Sequence, residues 1–127
     1  MSIKTEFVTF VVKAGMEAEA EAWMNLLIRR QQECIETLDP EHMHYECIFR
    51  SFRNGRLCLS WFSVQGSAGR DVRDLPQEIN KLHLEFWDKC IDTTVAPEKF
   101  EHLVSFVPPT VAAAISQREV SLRSAES

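Results

Sequence analysis

Residues 53–56 read Arg-Asn-Gly-Arg and lie between two runs rich in β-branched and aromatic side chains. A two-residue type I′ turn needs positive φ at both central positions, and Asn-Gly meets that need at little steric cost. The flanking runs, 42–52 and 57–65, are therefore predicted to pair as an antiparallel hairpin. With a two-residue loop, Arg53 faces Arg56, Arg50 faces Leu59 and Glu46 faces Ser63. Alternation then sorts the side chains into two sets. One face carries His44, Glu46, Ile48, Arg50, Phe52, Leu57, Leu59, Trp61 and Ser63. The other carries Met43, Tyr45, Cys47, Phe49, Ser51, Cys58, Ser60, Phe62 and Val64. Both faces hold large apolar groups, so both call for cover.

The rest of the chain supplies part of that cover. Residues 3–12 turn apolar on both parities after Thr5, as in a strand covered on both sides. Residues 16–38 begin with alanine and glutamate and carry an apolar stripe through Trp23, Leu27 and Ile35, which predicts one long helix stopped at Asp39-Pro40. After a charged loop over 66–75, Pro76 opens a second helix over 77–91. Residues 100–107 predict a last strand before Pro108-Pro109, and 110–122 an alanine-rich terminal helix. The order β-α-β-β-α-β makes this an α+β chain of the ferredoxin-like type. It implies one domain over 1–108 and a partly helical extension over 109–127, frayed at its end. Two helices cover one face of a four-stranded sheet, so the other face predicts a homodimer with sheets packed together.

Composition narrows the partners. The chain has 127 residues and a formal net charge of −5, which argues against phosphate backbones and anionic membranes. No run approaches the ~20 apolar residues of a membrane span, and the first ten residues lack the layout of a signal peptide. A cytoplasmic location is the expectation. The four cysteines show no C-x-x-C pairing, which predicts reduced thiols rather than disulfides or a zinc knuckle.

Within the second helix, Ile79, Leu82, Phe86, Trp87 and Cys90 form an apolar stripe, and His83 sits in the middle of it. A titratable ring on an inward stripe is hydrogen-bonded, a ligand or a reacting group. His83 is thus a structural histidine, a general base, a substrate donor or a metal or haem ligand. Small side chains at Cys47, Ser51, Cys58 and Ser60 are expected to face that helix and to leave a cavity shaped by Phe86 and Trp87, with Tyr45, Trp61 and Phe62 as further substrate contacts. Glu46 lies mid-strand, where glutamate is disfavoured. It either pairs with Arg50 or a partner's arginine, or offers a carboxylate to chemistry. The face assignment sets Glu46 apart from the expected cavity.

No cofactor is favoured. Ligand type alone leaves a metal open at His83 with His42, His44, His102 or Glu46, and haem on the same ground. Cys34 and Cys90 sit late in helices, where the dipole opposes a thiolate. No serine elbow is present, and Gly66-Ser67-Ala68-Gly69 lacks the lysine of a phosphate loop.

Three stretches carry a resemblance: Leu-Ser-Trp-Phe-Ser-Val-Gln-Gly-Ser-Ala-Gly (59–69), His-Leu-Glu-Phe-Trp-Asp-Lys-Cys-Ile-Asp (83–92) and Glu-Cys-Ile-Glu-Thr-Leu-Asp (33–39). Over 4–108 the chain resembles an uncharacterised family of small bacterial proteins that looks like a branch of the dimeric α/β-barrel superfamily. That superfamily includes cofactor-free monooxygenases of polyketide-like aromatics, EthD-like proteins, haem-dependent enzymes and stress-response barrels. The resemblance implies a small enzyme of monooxygenase, isomerase or cyclase type acting on a hydrophobic molecule. The alternatives are a non-catalytic dimeric barrel that binds a small ligand or partner, and a metal- or haem-dependent member.

Overall fold

A computed structural model describes residues 3–67 and 72–126. Strand β1 (Lys4–Val11) is followed by helices α1 (Glu17–Arg29) and α2 (Gln31–Glu36), then strands β2 (Met43–Arg53) and β3 (Arg56–Gln65). A 3-10 turn at Val72–Asp74 leads to α3 (Glu78–Cys90), the short strand β4 (Glu98–Lys99) and α4 (Pro109–Glu126). The architecture is α+β, with one antiparallel sheet in the order β2-β3-β1-β4. No helix among the described residues is long and apolar enough to cross a membrane.

The hairpin forms as its turn chemistry requires. Asn54 and Gly55 both take positive φ, 52° and 75°, and Arg53 pairs with Arg56. The ladder runs through Arg50↔Leu59 and Glu46↔Ser63, then shifts by a bulge between Met43 and Tyr45.

Three expectations are corrected. The helix over 16–38 is two helices, because the backbone leaves the helical region at Arg30 (φ −107°, ψ 34°). The break sets the Arg30 guanidinium against Glu33 and against Glu78 at the start of α3, tying α2 to α3. The last strand is not 100–107 but Glu98–Lys99, paired with Val8 and Thr9. Phe100 N–H still donates to Phe7 O at 3.0 Å, and the chain forms no strand from there to Val107. Leu103 and Phe106 are 83% and 90% exposed. Apolar alternation favours an extended chain there, but ladder pairing needs an edge within reach.

The third correction concerns the sheet's faces. The helices cover the face of Glu46, Ile48, Leu59 and Trp61, not that of Cys58 and Ser60. Trp23 of α1 packs on Trp61 with ring centroids 5.5 Å apart, and Trp61 lies 5.2 Å from Trp87 of α3. Val12, Ala20, Trp23, Leu57, Leu59, Cys90 and Ile91 form the core between sheet and helices. Alternation shows which residues share a face; it does not show which face receives the helices.

Helix α4 is anchored to the start of β2 by a buried polar network. His44 Nε2 donates to Glu119 Oε1 at 2.5 Å, and Arg118 Nε donates to His44 Nδ1 at 3.1 Å. Arg118 also reaches Met43 O at 2.9 Å and Asp39 at 2.7 Å. Burial works to raise the Glu119 carboxyl, yet bonds from His44 and Ser67 hold it below its ordinary value. This carboxylate packs directly on the Cα of Gly66, where a Cβ would overlap it and come within 2.9 Å of His44 Nε2. Gly66→Ala should therefore push Glu119 off His44 at a cost of about 1–3 kcal/mol to the docking of α4. Hydrogen exchange of the α4 amides should speed up while that of β1 and β3 does not; equal protection in both proteins would refute the anchor.

Candidate functional site

Between helices and sheet lies a recess of about 1200 Å³. Its floor includes Val8, Phe10, Glu46, Ile48, Leu59 and Trp61 from the three long strands. Its roof includes Met24 and Leu27 of α1, Cys34 of α2, and Ile79, His83 and Trp87 of α3. Glu21, Asn25, Thr37, Glu41, Arg50 and Arg73 line it as well, so its walls are polar and apolar in nearly equal parts.

His83 is held in an aromatic cage. Its ring centroid lies 5.3 Å from that of Trp23 and 6.4 Å from those of Trp61 and Trp87. The Trp23 indole N–H donates to His83 Nδ1 at 3.1 Å. Loss of water around the ring pushes the imidazole down to about 4, so at neutral pH His83 is uncharged.

Glu46 lines the same recess. The residue as a whole is exposed to solvent, while protein atoms around its carboxyl remove part of its hydration. Burial, with the nearby charge of Glu41 as a second cause, pushes it up to about 7. Among the described residues Glu46 has no hydrogen bond or ion pair, and Arg50 does not reach it. The recess thus holds, among its lining groups, a carboxyl that is part proton-bearing at neutral pH and a neutral imidazole.

The expected separation of Glu46 from His83 is corrected: both belong to one recess. Trp61 and Trp87 line it with them, while Phe86 stacks on Trp23 behind it. Tyr45 and Phe62 lie on the opposite face, edge to face with centroids 6.0 Å apart. There they line a shallower groove of about 700 Å³ with Phe7, Phe49 and Phe100. Trp23 was the residue to notice on the α1 stripe, because a buried indole N–H must find an acceptor.

The other candidate ligands are engaged elsewhere. His42 Nδ1 lies 2.6 Å from Ser67 O, His44 is bound to Glu119, and His102 Nε2 lies 2.7 Å from Ser105 Oγ. Among the described residues, no three His, Cys, Asp or Glu side chains gather as a metal site. The four cysteines are free thiols, and burial pushes Cys34, Cys47 and Cys90 up, away from nucleophilic thiolate.

Residues 3–113 match the model of a family of unknown function, DUF6176. The chain belongs to that family. The match takes in the sheet, α1 to α3 and the start of α4, so the recess lies within the family's common part. Neither the curated proteins nor the solved structures give a match to this DUF6176 chain.

Proposed function

We propose that this DUF6176 protein is a proton-transfer enzyme of isomerase or cyclase type, acting on a hydrophobic, polyketide-like or aromatic carbonyl compound. The observation that carries the reading is an unpaired carboxyl, Glu46, lining one recess with a neutral, tryptophan-caged His83. The Glu46 carboxylate takes a proton from the carbon next to the carbonyl. The electron pair of that C–H bond moves into the carbonyl, and the oxygen that gains charge is met by His83. Glu46, now protonated, returns the proton to another carbon or to oxygen. A carboxyl near 7 suits both halves of this exchange at neutral pH. Cofactor-free monooxygenation begins with the same deprotonation, so a monooxygenase of this kind would use the site alike. Trp61 and Trp87 supply flat apolar contact for the substrate.

The test is solvent exchange. Aryl β-diketones incubated with the protein in D2O should lose their α-proton signal in 1H NMR faster than in buffer alone. Exchange at the buffer rate across a panel of such compounds would count against the reading.

The element order and the sheet order β2-β3-β1-β4 support a ferredoxin-like unit that pairs as a dimeric α/β barrel. Tyr45 is 58% exposed on the face without helices, beside Phe49, Phe62 and the Phe7–Phe100 contact, and a second copy would bury this patch. Gel filtration with light scattering should give about twice 14.6 kDa, and Phe49→Asp should shift it to the monomer mass. A wild-type monomer would sink the dimer.

A further inference from the structure

We infer that Trp23 is a positioning residue that fixes the tautomer of His83, so that the recess receives its ligand through an electron-rich oxygen: a carbonyl, enolate or phenolate. The ligand part rests on the proton-transfer reading above; the tautomer part does not.

An indole nitrogen can only donate, and a neutral imidazole has one donor and one acceptor nitrogen. Trp23 Nε1–H points at His83 Nδ1 from 3.1 Å, so Nδ1 is the acceptor and the single ring proton sits on Nε2. Moving that proton to Nδ1 would set two N–H groups against each other and leave the Trp23 indole N–H without a partner. Trp23 is 0% exposed, so water cannot replace the acceptor it would lose. The ring contacts with Trp61 and Trp87 oppose a flip that would exchange the two nitrogens. His83 therefore offers the recess an N–H and no lone pair. It cannot serve as the base there, which leaves the proton transfer to Glu46, and it is matched to an oxygen that gains negative charge. The same arrangement disfavours ligands that present a cation or an N–H to His83.

Nitrogen-15 NMR of the whole labelled chain tests this without turnover. Nδ1 of His83 should resonate as an unprotonated ring nitrogen and Nε2 as a protonated one, with a scalar coupling across the bond between Trp23 Nε1 and His83 Nδ1. In Trp23→Phe the coupling should vanish and the two tautomers should mix. A wild-type His83 protonated at Nδ1, or a tautomer unchanged in Trp23→Phe, would overturn the inference. If that variant does not fold, the wild-type coupling decides alone. Adding 4-nitrophenol should move the Nε2–H proton downfield; a resonance unmoved at millimolar probe would overturn the oxygen-acceptor part. A fixed Nε2–H in a protein that catalyses no carbon-acid exchange would sink the proposed function and leave the Trp23 assignment standing.

Discussion

Glu46→Gln should cost about 10²–10⁴ in the rate of solvent exchange at the substrate carbon, the usual contribution of a positioned general base. Glutamine keeps the length and polarity of the side chain but cannot accept the proton. The wild-type rate should rise with pH through an apparent pKa near 7, because the carboxylate is the active form and burial has moved its titration there. In the variant that limb should disappear along with the rate. Glu46 makes no ion pair or hydrogen bond among the described residues, so removing its charge breaks no contact and the fold should persist. A variant that keeps full exchange and the same pH limb would remove Glu46 from the chemistry.

The second large effect is the pH dependence of stability, where His83 and Glu46 act in opposite directions. His83 falls from the ordinary 6.5 to about 4. Between those values the unfolded chain binds a proton that the folded chain does not. Its contribution is thus fully present above pH 6.5 and is lost as pH falls through 6.5 towards 4. At about 1.4 kcal/mol per pKa unit, the loss is of order 3 kcal/mol. Glu46 rises from 4.5 to about 7, so in that interval the folded chain binds the extra proton and stability falls as pH rises. Solvent at the mouth of the recess screens this second effect to roughly 1 kcal/mol. Urea unfolding at pH 4.5 to 6.5 should therefore show a moderate rise for the wild type. Glu46→Gln should steepen the rise, and His83→Asn should abolish or reverse it, with m-values unchanged. Parallel curves for all three proteins would mean that neither group is buried as described. Other carboxylates set a common background, and the differences between variants remove it. Among the described residues, Glu41, Cys34 and Cys47 interact electrostatically with Glu46, and Glu6, Glu21, Arg50 and Arg73 line the same recess; the rings caging His83 do not titrate.

The two titrations oppose each other because burial disfavours the charged form of each group, the cation of His83 and the anion of Glu46. An apolar residue at 46 would relieve the cost of a partly desolvated carboxyl, and local propensity disfavours glutamate mid-strand. Stability gained by Glu46→Gln at pH 8, together with exchange lost, would be the mark of that trade.

Local information accounts for a good part of this molecule. Asn54-Gly55 determined the turn, the turn determined the register, and the register placed Glu46 opposite Ser63 and Arg50 opposite Leu59. The three-and-four spacing of Ile79, Phe86, Trp87 and Cys90 determined that His83 would point inward. These are short-range properties: backbone φ at two residues, and the 2.0 and 3.6 periods of strand and helix. What the sequence did not contain is the side of the sheet on which the helices lie. Both faces of the hairpin are comparably apolar, so hydrophobicity could not choose between Ile48 with Trp61 and Phe49 with Phe62. The packing of α1 and α3 on Trp61 chose, and it put Glu46 and His83 on the lining of one recess. Only the tertiary structure could also set Trp23 against His83, since 60 residues separate them and no periodic pattern spans that distance. It likewise left 100–107 outside a two-residue ladder, because pairing depends on where a neighbouring edge lies, while alternation depends on the segment alone.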